Sequence, residues 1–143
     1  MNVANLLATK GRDVATINQE RSVRDAIAML KERGIGALVV TGGTGPLTGM
    51  LSERDVVRAF AREGADALDL RVAALMTTAV ITCHESTSLN ELMTTMTDKR
   101  IRHVPVVENG QLVGLVSIGD VVKARVGELE GERRDLLEYV NAR

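Results

Sequence analysis

The sequence predicts an α+β fold in which one β-α-β-β-α unit is used twice. Three observations predict it. Two stretches of the 143-residue chain align with each other over most of their length. Each stretch mixes short β-type runs with segments whose apolar residues recur at helical spacing. The chain is about one average domain long, so both units must share it.

The internal alignment is dense. Val14-Ala15-Thr16-Ile17 faces Val80-Ile81-Thr82-Cys83, and Ser22-Val23-Arg24-Asp25 faces Ser88-Leu89-Asn90-Glu91. Ile35 meets Ile101 and Val40 meets Val106. Gly49-Met50-Leu51-Ser52-Glu53-Arg54-Asp55-Val56-Val57 meets Gly114-Leu115-Val116-Ser117-Ile118-Gly119-Asp120-Val121-Val122. The leaders correspond too: Val3-Ala4-Asn5-Leu6-Leu7 resembles Val72-Ala73-Ala74-Leu75-Met76. The first unit carries one extra residue, in the turn around Gly42 to Pro46.

Each unit opens on a β run, Val14 to Ile17 or Val80 to Cys83. Ser22-x-x-Asp25 and Ser88-x-x-Glu91 then read as capping boxes. Behind them Val23, Ala26, Ile27 and Leu30, and Leu89, Leu92, Met93 and Met96, fall at i, i+3, i+4 and i+7, so each helix has one buried face. Two β runs follow: Ala37 to Thr41 and Leu47 to Leu51, then His103 to Val107 and Gln111 to Val116. Asn109-Gly110 between the last two is a hairpin turn signal. A second helix closes each unit, starting at Ser52 and at Ser117. Arg62 to Leu70, polar and Ala-rich, reads as the linker. The tail from Glu128 to Arg143 continues the last helix with a narrow stripe of Leu129, Leu136, Leu137 and Val140. Gly127 and Gly131 cost it about 1 kcal/mol each relative to Ala. Such a stripe is either an oligomer contact or a solvated tail.

Composition narrows the functions. Apolar residues make up 45% and charged residues 26%, and eighteen basic against nineteen acidic residues leave a net charge of −1. A dedicated nucleic-acid binder carries a basic excess, so no nucleic-acid partner is expected. One Phe, one Tyr and no Trp leave no stacking platform, so a planar ligand must be gripped by aliphatic groups and backbone. A single cysteine, Cys83, excludes an intrachain disulfide and suits reducing cytoplasm. No signal peptide and no membrane span are expected.

The chemistry concentrates at Gly49-x-x-Ser52-x-x-Asp55 and Gly114-x-x-Ser117-x-x-Asp120, each where a strand ends and a helix begins. Helix N-termini present unpaired N–H groups. The glycines would let a ligand approach the strand backbone closely. An ionised Asp accepts from two adjacent hydroxyls, as in a ribose diol. The same Ser-x-x-Asp pattern is also an ordinary helix cap. Its recurrence, each time with a preceding Gly, favours the ligand reading. Arg102-His103-Val104-Pro105 would add phosphate donors, or else mark a solvated strand edge. The matching Gly36-Ala37 cannot supply them, although Arg54, whose counterpart is Gly119, would compensate. Cys83-His84 is too little for a metal site, and Cys83 aligns with Ile17 as a core position. No carboxylate pair, triad or phosphate loop supports catalysis.

These repeated segments, with Ile35-Gly36-Ala37-Leu38-Val39-Val40 and Ile101-Arg102-His103-Val104-Pro105-Val106, resemble a tandem CBS-domain pair, or Bateman module, over about Val3 to Val126. The resemblance implies two β-α-β-β-α CBS repeats packed as a pseudo-twofold pair. Residues 1–66 would form repeat 1 with its leader, 67–127 repeat 2, and 128–143 a helical tail. It implies a regulatory ligand containing adenosine, such as AMP, ADP, ATP, NAD(H) or S-adenosylmethionine, and a disc-shaped homodimer. Ser52 and Asp55, and Ser117 and Asp120, would hold ribose, and Arg102 and His103 phosphate. Val14 and Ala15, or Val80 and Ile81, would form the adenine slot. The clefts of the family mix repeats, which places Asp120 with Lys10 to Ala15 and Asp55 with Thr77 to Ile81. The departure at Gly36-Ala37 puts phosphate binding at the Asp55 cleft in question. The expectation is a stand-alone, non-enzymatic sensor acting on an unknown protein partner, with no metal and with NAD(H) preferred over NADP(H). The alternatives are a structural dimerisation module with vestigial sites and an enzyme subunit sharing an active site.

Overall fold

Ser22, Ser52, Ser88 and Ser117 each start a helix, so the caps read from the sequence are where the chain turns. The computed structural model describes residues 1–142, and Arg143 lies outside them. Ser22 Oγ accepts from the Asp25 amide at 3.1 Å and opens α2 (Val23–Arg33). Ser88 Oγ does the same for Glu91 at 3.1 Å and opens α5 (Leu89–Lys99). These two caps are one-sided, not the reciprocal boxes expected. The Asp25 carboxylate turns instead to Arg21, at 2.9 Å. Full boxes form at Ser52 and Ser117, the starts of α3 (Glu53–Glu63) and α6 (Ile118–Asn141).

The strands follow the same doubling. In repeat 1, β1 (Thr16–Asn18) runs parallel to β2 (Ala37–Thr41), which pairs antiparallel with β3 (Gly49–Ser52). In repeat 2, β4 (His103–Glu108) and β5 (Gln111–Ser117) form a hairpin. Asn109 and Gly110, at φ 50° and 74°, take the left-handed turn that hairpins favour. The expected strand from Val80 to Cys83 shrinks to one parallel bridge between Cys83 and Val106. Turns on both sides consume the neighbouring backbone groups. The Val80 amide bonds Thr78 O at 2.9 Å and the Thr87 amide bonds His84 O at 3.2 Å.

The expected linker is ordered. α3 passes into a 3-10 segment, Gly64–Asp69, whose Ala67 is fully buried. Ala67 makes the packing contact, while Ala65 is exposed.

Two hydrophobic cores form, and the leaders are exchanged between them. Val3, Leu6 and Leu7 of α1 (Val3–Lys10) pack with Leu89, Leu92, Met96, Val104, Val106 and Val116 of repeat 2. Val72 and Leu75 of α4 (Val72–Leu75) pack with Val23, Ala26, Leu38, Val40 and Leu51 of repeat 1. Backbone bonds fasten both: Val3 N to Thr87 O at 2.9 Å, and Val72 N to Arg21 O at 2.8 Å. The glycines at the strand ends serve this exchange rather than a ligand's approach. A Cβ on Gly114 would lie 2.8 Å from Leu7 Cδ2, and one on Gly49 2.8 Å from Thr77 O and Met76 Sδ.

Cys83 lies in the second core, where burial first and Glu108 second push its thiol up to about 11. It packs as the small hydrophobe its alignment with Ile17 predicts. Pro105 is buried and its carbonyl accepts from the Cys83 amide at 3.0 Å, so β4 is not a solvated edge. Among the described residues no helix is long and apolar enough to cross a membrane.

Candidate functional site

At the start of α3 one carboxylate oxygen does the capping. Asp55 Oδ2 accepts from the Ser52 amide at 2.9 Å and from the Ser52 hydroxyl at 3.0 Å. Ser52 Oγ in turn accepts from the Asp55 amide at 3.3 Å. Oδ1 makes no hydrogen bond among the described residues. Capping and ligand binding therefore do not compete at Asp55.

That carboxylate lines a cleft of about 610 Å³ between the repeats. Repeat 1 contributes Gly36, Ala37, Met50, Ser52, Glu53, Arg54, Asp55 and Arg58. The second half contributes Thr77, Ala79, Val80, Ile81, Arg100, Ile101, Arg102, His103 and Ile118. Of the residues expected from the sequence, the cleft joins Ser52, Arg54, Asp55, Thr77, Val80, Ile81, Arg102 and His103. The sequence put phosphate binding at this cleft in question at Gly36-Ala37, with Arg54 to compensate, and Arg54 does line the cleft. Gly36 and Ala37 do line it, but Arg102 and His103 reach it from the other repeat.

Lys10, Val14, Ala15, Ser117 and Asp120 lie at the pseudo-equivalent position instead. Asp120 Oδ2 accepts from the Ser117 amide and hydroxyl, both at 2.9 Å, and from Lys10 Nζ at 2.6 Å. Lys10 Nζ also donates to Leu115 O at 2.6 Å. In the first half the corresponding β3 position is met by backbone: Thr77 and Met50 exchange bonds of 2.8 and 2.9 Å. An internal ammonium thus holds Asp120, whereas Asp55 has no such partner. Val14 and Ala15 lead into β1, and Ala15 O accepts from Val39 N at 3.1 Å.

Burial alone would raise the Asp120 pKa, but the hydrogen bonds from Lys10 and Ser117 outweigh it and hold the carboxyl below its ordinary value. His103 is pushed down, first by burial and then by Lys10 and Arg102, against the opposing pull of Asp120 and Glu53. Its ring therefore feels the Asp120 and Glu53 carboxylates together.

Arg58, Arg100, Glu53 and Ile118 line the cleft without having been singled out in the sequence. Arg58 had a readable signal, since it falls one helical turn after Arg54 on the same face. Arg100 stands where Gly34 stands in repeat 1, an exchange visible in the internal alignment.

The architecture is a tandem α+β module with exchanged leaders and a ligand-sized cleft between its halves. Comparison makes the class specific. Residues 6–62 and 72–127 each match the CBS domain, and the chain belongs to that family as a CBS-domain pair, a regulatory module. A CBS-domain protein of Agrobacterium tumefaciens is 46% identical, with TM-score 0.84 over 87% of this chain and 99% of that one. The mitochondrial CBS domain-containing protein CBSX3 of Arabidopsis thaliana is 33% identical over 96% of this chain and 71% of its own length. The CBS domain pair of the protein MJ0100, solved with 5′-methylthioadenosine and S-adenosyl-L-methionine, is 25% identical, with TM-score 0.78 over 90% of this chain and 98% of that one.

Proposed function

We propose that this CBS pair is a non-catalytic nucleotide sensor. It binds an adenosine-containing ligand of the AMP, ATP or NAD(H) type in the Asp55 cleft and signals to a separate protein partner. One observation carries the reading. The cleft collects a carboxylate with an unengaged oxygen (Asp55), aliphatic walls (Val80, Ile81), cations from both repeats (Arg54, Arg102) and the His103 ring. Asp55 Oδ1 suits a ribose diol, Val80 and Ile81 suit an adenine in a chain without stacking aromatics, and the cations suit phosphate. Adenosine ligands in the related MJ0100 pair support the same class. The ligand touches both repeats, so its binding free energy differs between their relative placements, and that difference is what biases a partner.

The Asp120 position is the weaker site, because the Lys10 ammonium, 2.6 Å from Asp120 Oδ2, already neutralises that carboxylate. A thermal-shift panel of AMP, ADP, ATP, NAD+, NADH, NADP+ and S-adenosylmethionine tests the reading. A ligand at about 100 times its Kd adds roughly 2.7 kcal/mol of stability. Asp55→Asn keeps an oxygen for the Ser52 amide and removes the charge, and is expected to weaken binding about 10-fold or more. A flat panel on folded protein favours the structural dimerisation module instead.

A further inference from the structure

The Asp55 cleft is more cationic than a single phosphate requires. Arg54 and Arg58 enter it from α3, and Arg100 and Arg102 from the segment joining α5 to β4. Only Glu53 and Asp55 oppose them on the cleft lining. None of the four guanidinium groups is in an ion pair with a carboxylate among the described residues. Each guanidinium is a fixed fork suited to two anionic oxygens. Four such forks outnumber the oxygens of one phosphate group.

Arg100 adds an independent observation. It caps α5 at φ 53°, ψ 45°, in the left-handed region. The pseudo-equivalent cap of α2 is Gly34, at φ 63°, ψ 40°. The same backbone turn is therefore made by Gly at no steric cost in one repeat and by Arg at a cost in the other. A side chain held in such a conformation at the rim of a cleft points to a use for that side chain.

We infer that the Asp55 cleft selects a nucleoside di- or triphosphate over a monophosphate, with Arg58 and Arg100 as the residues that set this preference. The inference rests on the adenosine reading for the ribose and base, and adds the length of the phosphate chain. A polyphosphate neutralises guanidiniums from both repeats at once and draws them together. A sulfonium ligand such as S-adenosylmethionine brings a positive charge among four others and is disfavoured.

Calorimetric titration of the full chain in magnesium-free buffer tests this, with adenosine, AMP, ADP, ATP and inorganic tripolyphosphate. Affinity is expected to rise from AMP to ADP to ATP, by about 10-fold or more overall, the effect of one charge-assisted contact. Arg100→Gly is expected to weaken ATP binding about 10-fold, leave adenosine binding unchanged and raise the Tm of the free protein. Arg58→Gln is expected to weaken ATP binding likewise. AMP binding as tightly as ATP overturns the inference and leaves the adenosine reading standing. Tripolyphosphate binding as tightly as ATP, with Asp55→Asn without effect, overturns the adenosine reading and keeps the polyanion preference. No heat from ATP or from tripolyphosphate overturns both.

Discussion

His103 carries the most information at the scale of single residues. Lys10 on α1, Asp120 on α6, Arg102 beside it and Glu53 on α3 all act on its ring, and burial with the two cations keeps it neutral. Its folded pKa lies below the unfolded value of about 6.5. Its contribution to stability is therefore complete above that value and is lost as pH falls through the folded pKa. A phosphate facing the ring reverses the preference and makes binding take up a proton. Nucleotide affinity is expected to rise as pH is lowered from about 8 to about 6, and His103→Asn should flatten that slope. Equal slopes in the two proteins would remove His103 from the phosphate contact. Asp120 follows the carboxylate rule. Its Lys10 and Ser117 bonds stabilise the fold above the unfolded pKa and fail in acid, as pH falls through the lowered folded value.

At the scale of elements, the exchanged leaders explain the two glycines that open the repeated motif. Leu7 is 1% exposed, so the Cβ of Gly114→Ala meets a side chain with nowhere to go. Overpacking of that kind costs about 1–3 kcal/mol. Gly127→Ala is the opposite case: nothing lies within 4 Å of its Cβ, and helix propensity improves by about 1 kcal/mol. Urea denaturation of both variants should move the midpoint in opposite directions, and a neutral Gly114→Ala would contradict the tight packing of α1. The caps at all four serines and both antiparallel strand pairs were legible, because each depends on neighbours in sequence. The shortened Val80–Cys83 strand was not, because flanking turns claim its backbone groups. The Arg62–Leu70 segment was legible as the link between the repeats, but its ordered 3-10 turn was not, because a buried Ala and an exposed one look alike in sequence.

For the whole molecule, the outer surface of α6 is the unsatisfied feature. Val122, Val126, Leu129, Leu136 and Val140 are each about half exposed and recur at alternating spacings of three and four, with Arg133 filling the one break. That is the spacing a two-helix seam uses, and one helix cannot bury it alone. Within one chain Arg125 meets Glu128 on the flank of this seam, at 3.3 Å. We propose a homodimer in which the seam of one chain closes on that of a second copy. Light scattering should show a dimer for the native chain and a monomer for Leu136→Glu, with nucleotide binding retained in the variant. A native monomer at micromolar concentration would remove the dimer from the proposal.

The repeat, the helix starts, the hairpin turn, the core faces and the two Ser-x-x-Asp motifs were all determined by the sequence by itself. Apart from the repeat itself, each is a local pattern, set by hydrogen bonds between near neighbours or by side chains one helical turn apart. The docking of the two repeats decided the rest. Because the leaders Val3–Leu7 and Val72–Met76 share one apolar pattern, either could cover either core as far as burial is concerned. Only the tertiary structure assigns each leader to the opposite repeat. That assignment carries Lys10 onto Asp120 and leaves Asp55 without an ammonium partner. It also sets Arg100 and Arg102 of one repeat across from Arg54 and Arg58 of the other. Charges about fifty residues apart in the chain meet only through that packing, and no local pattern in the sequence encodes their meeting.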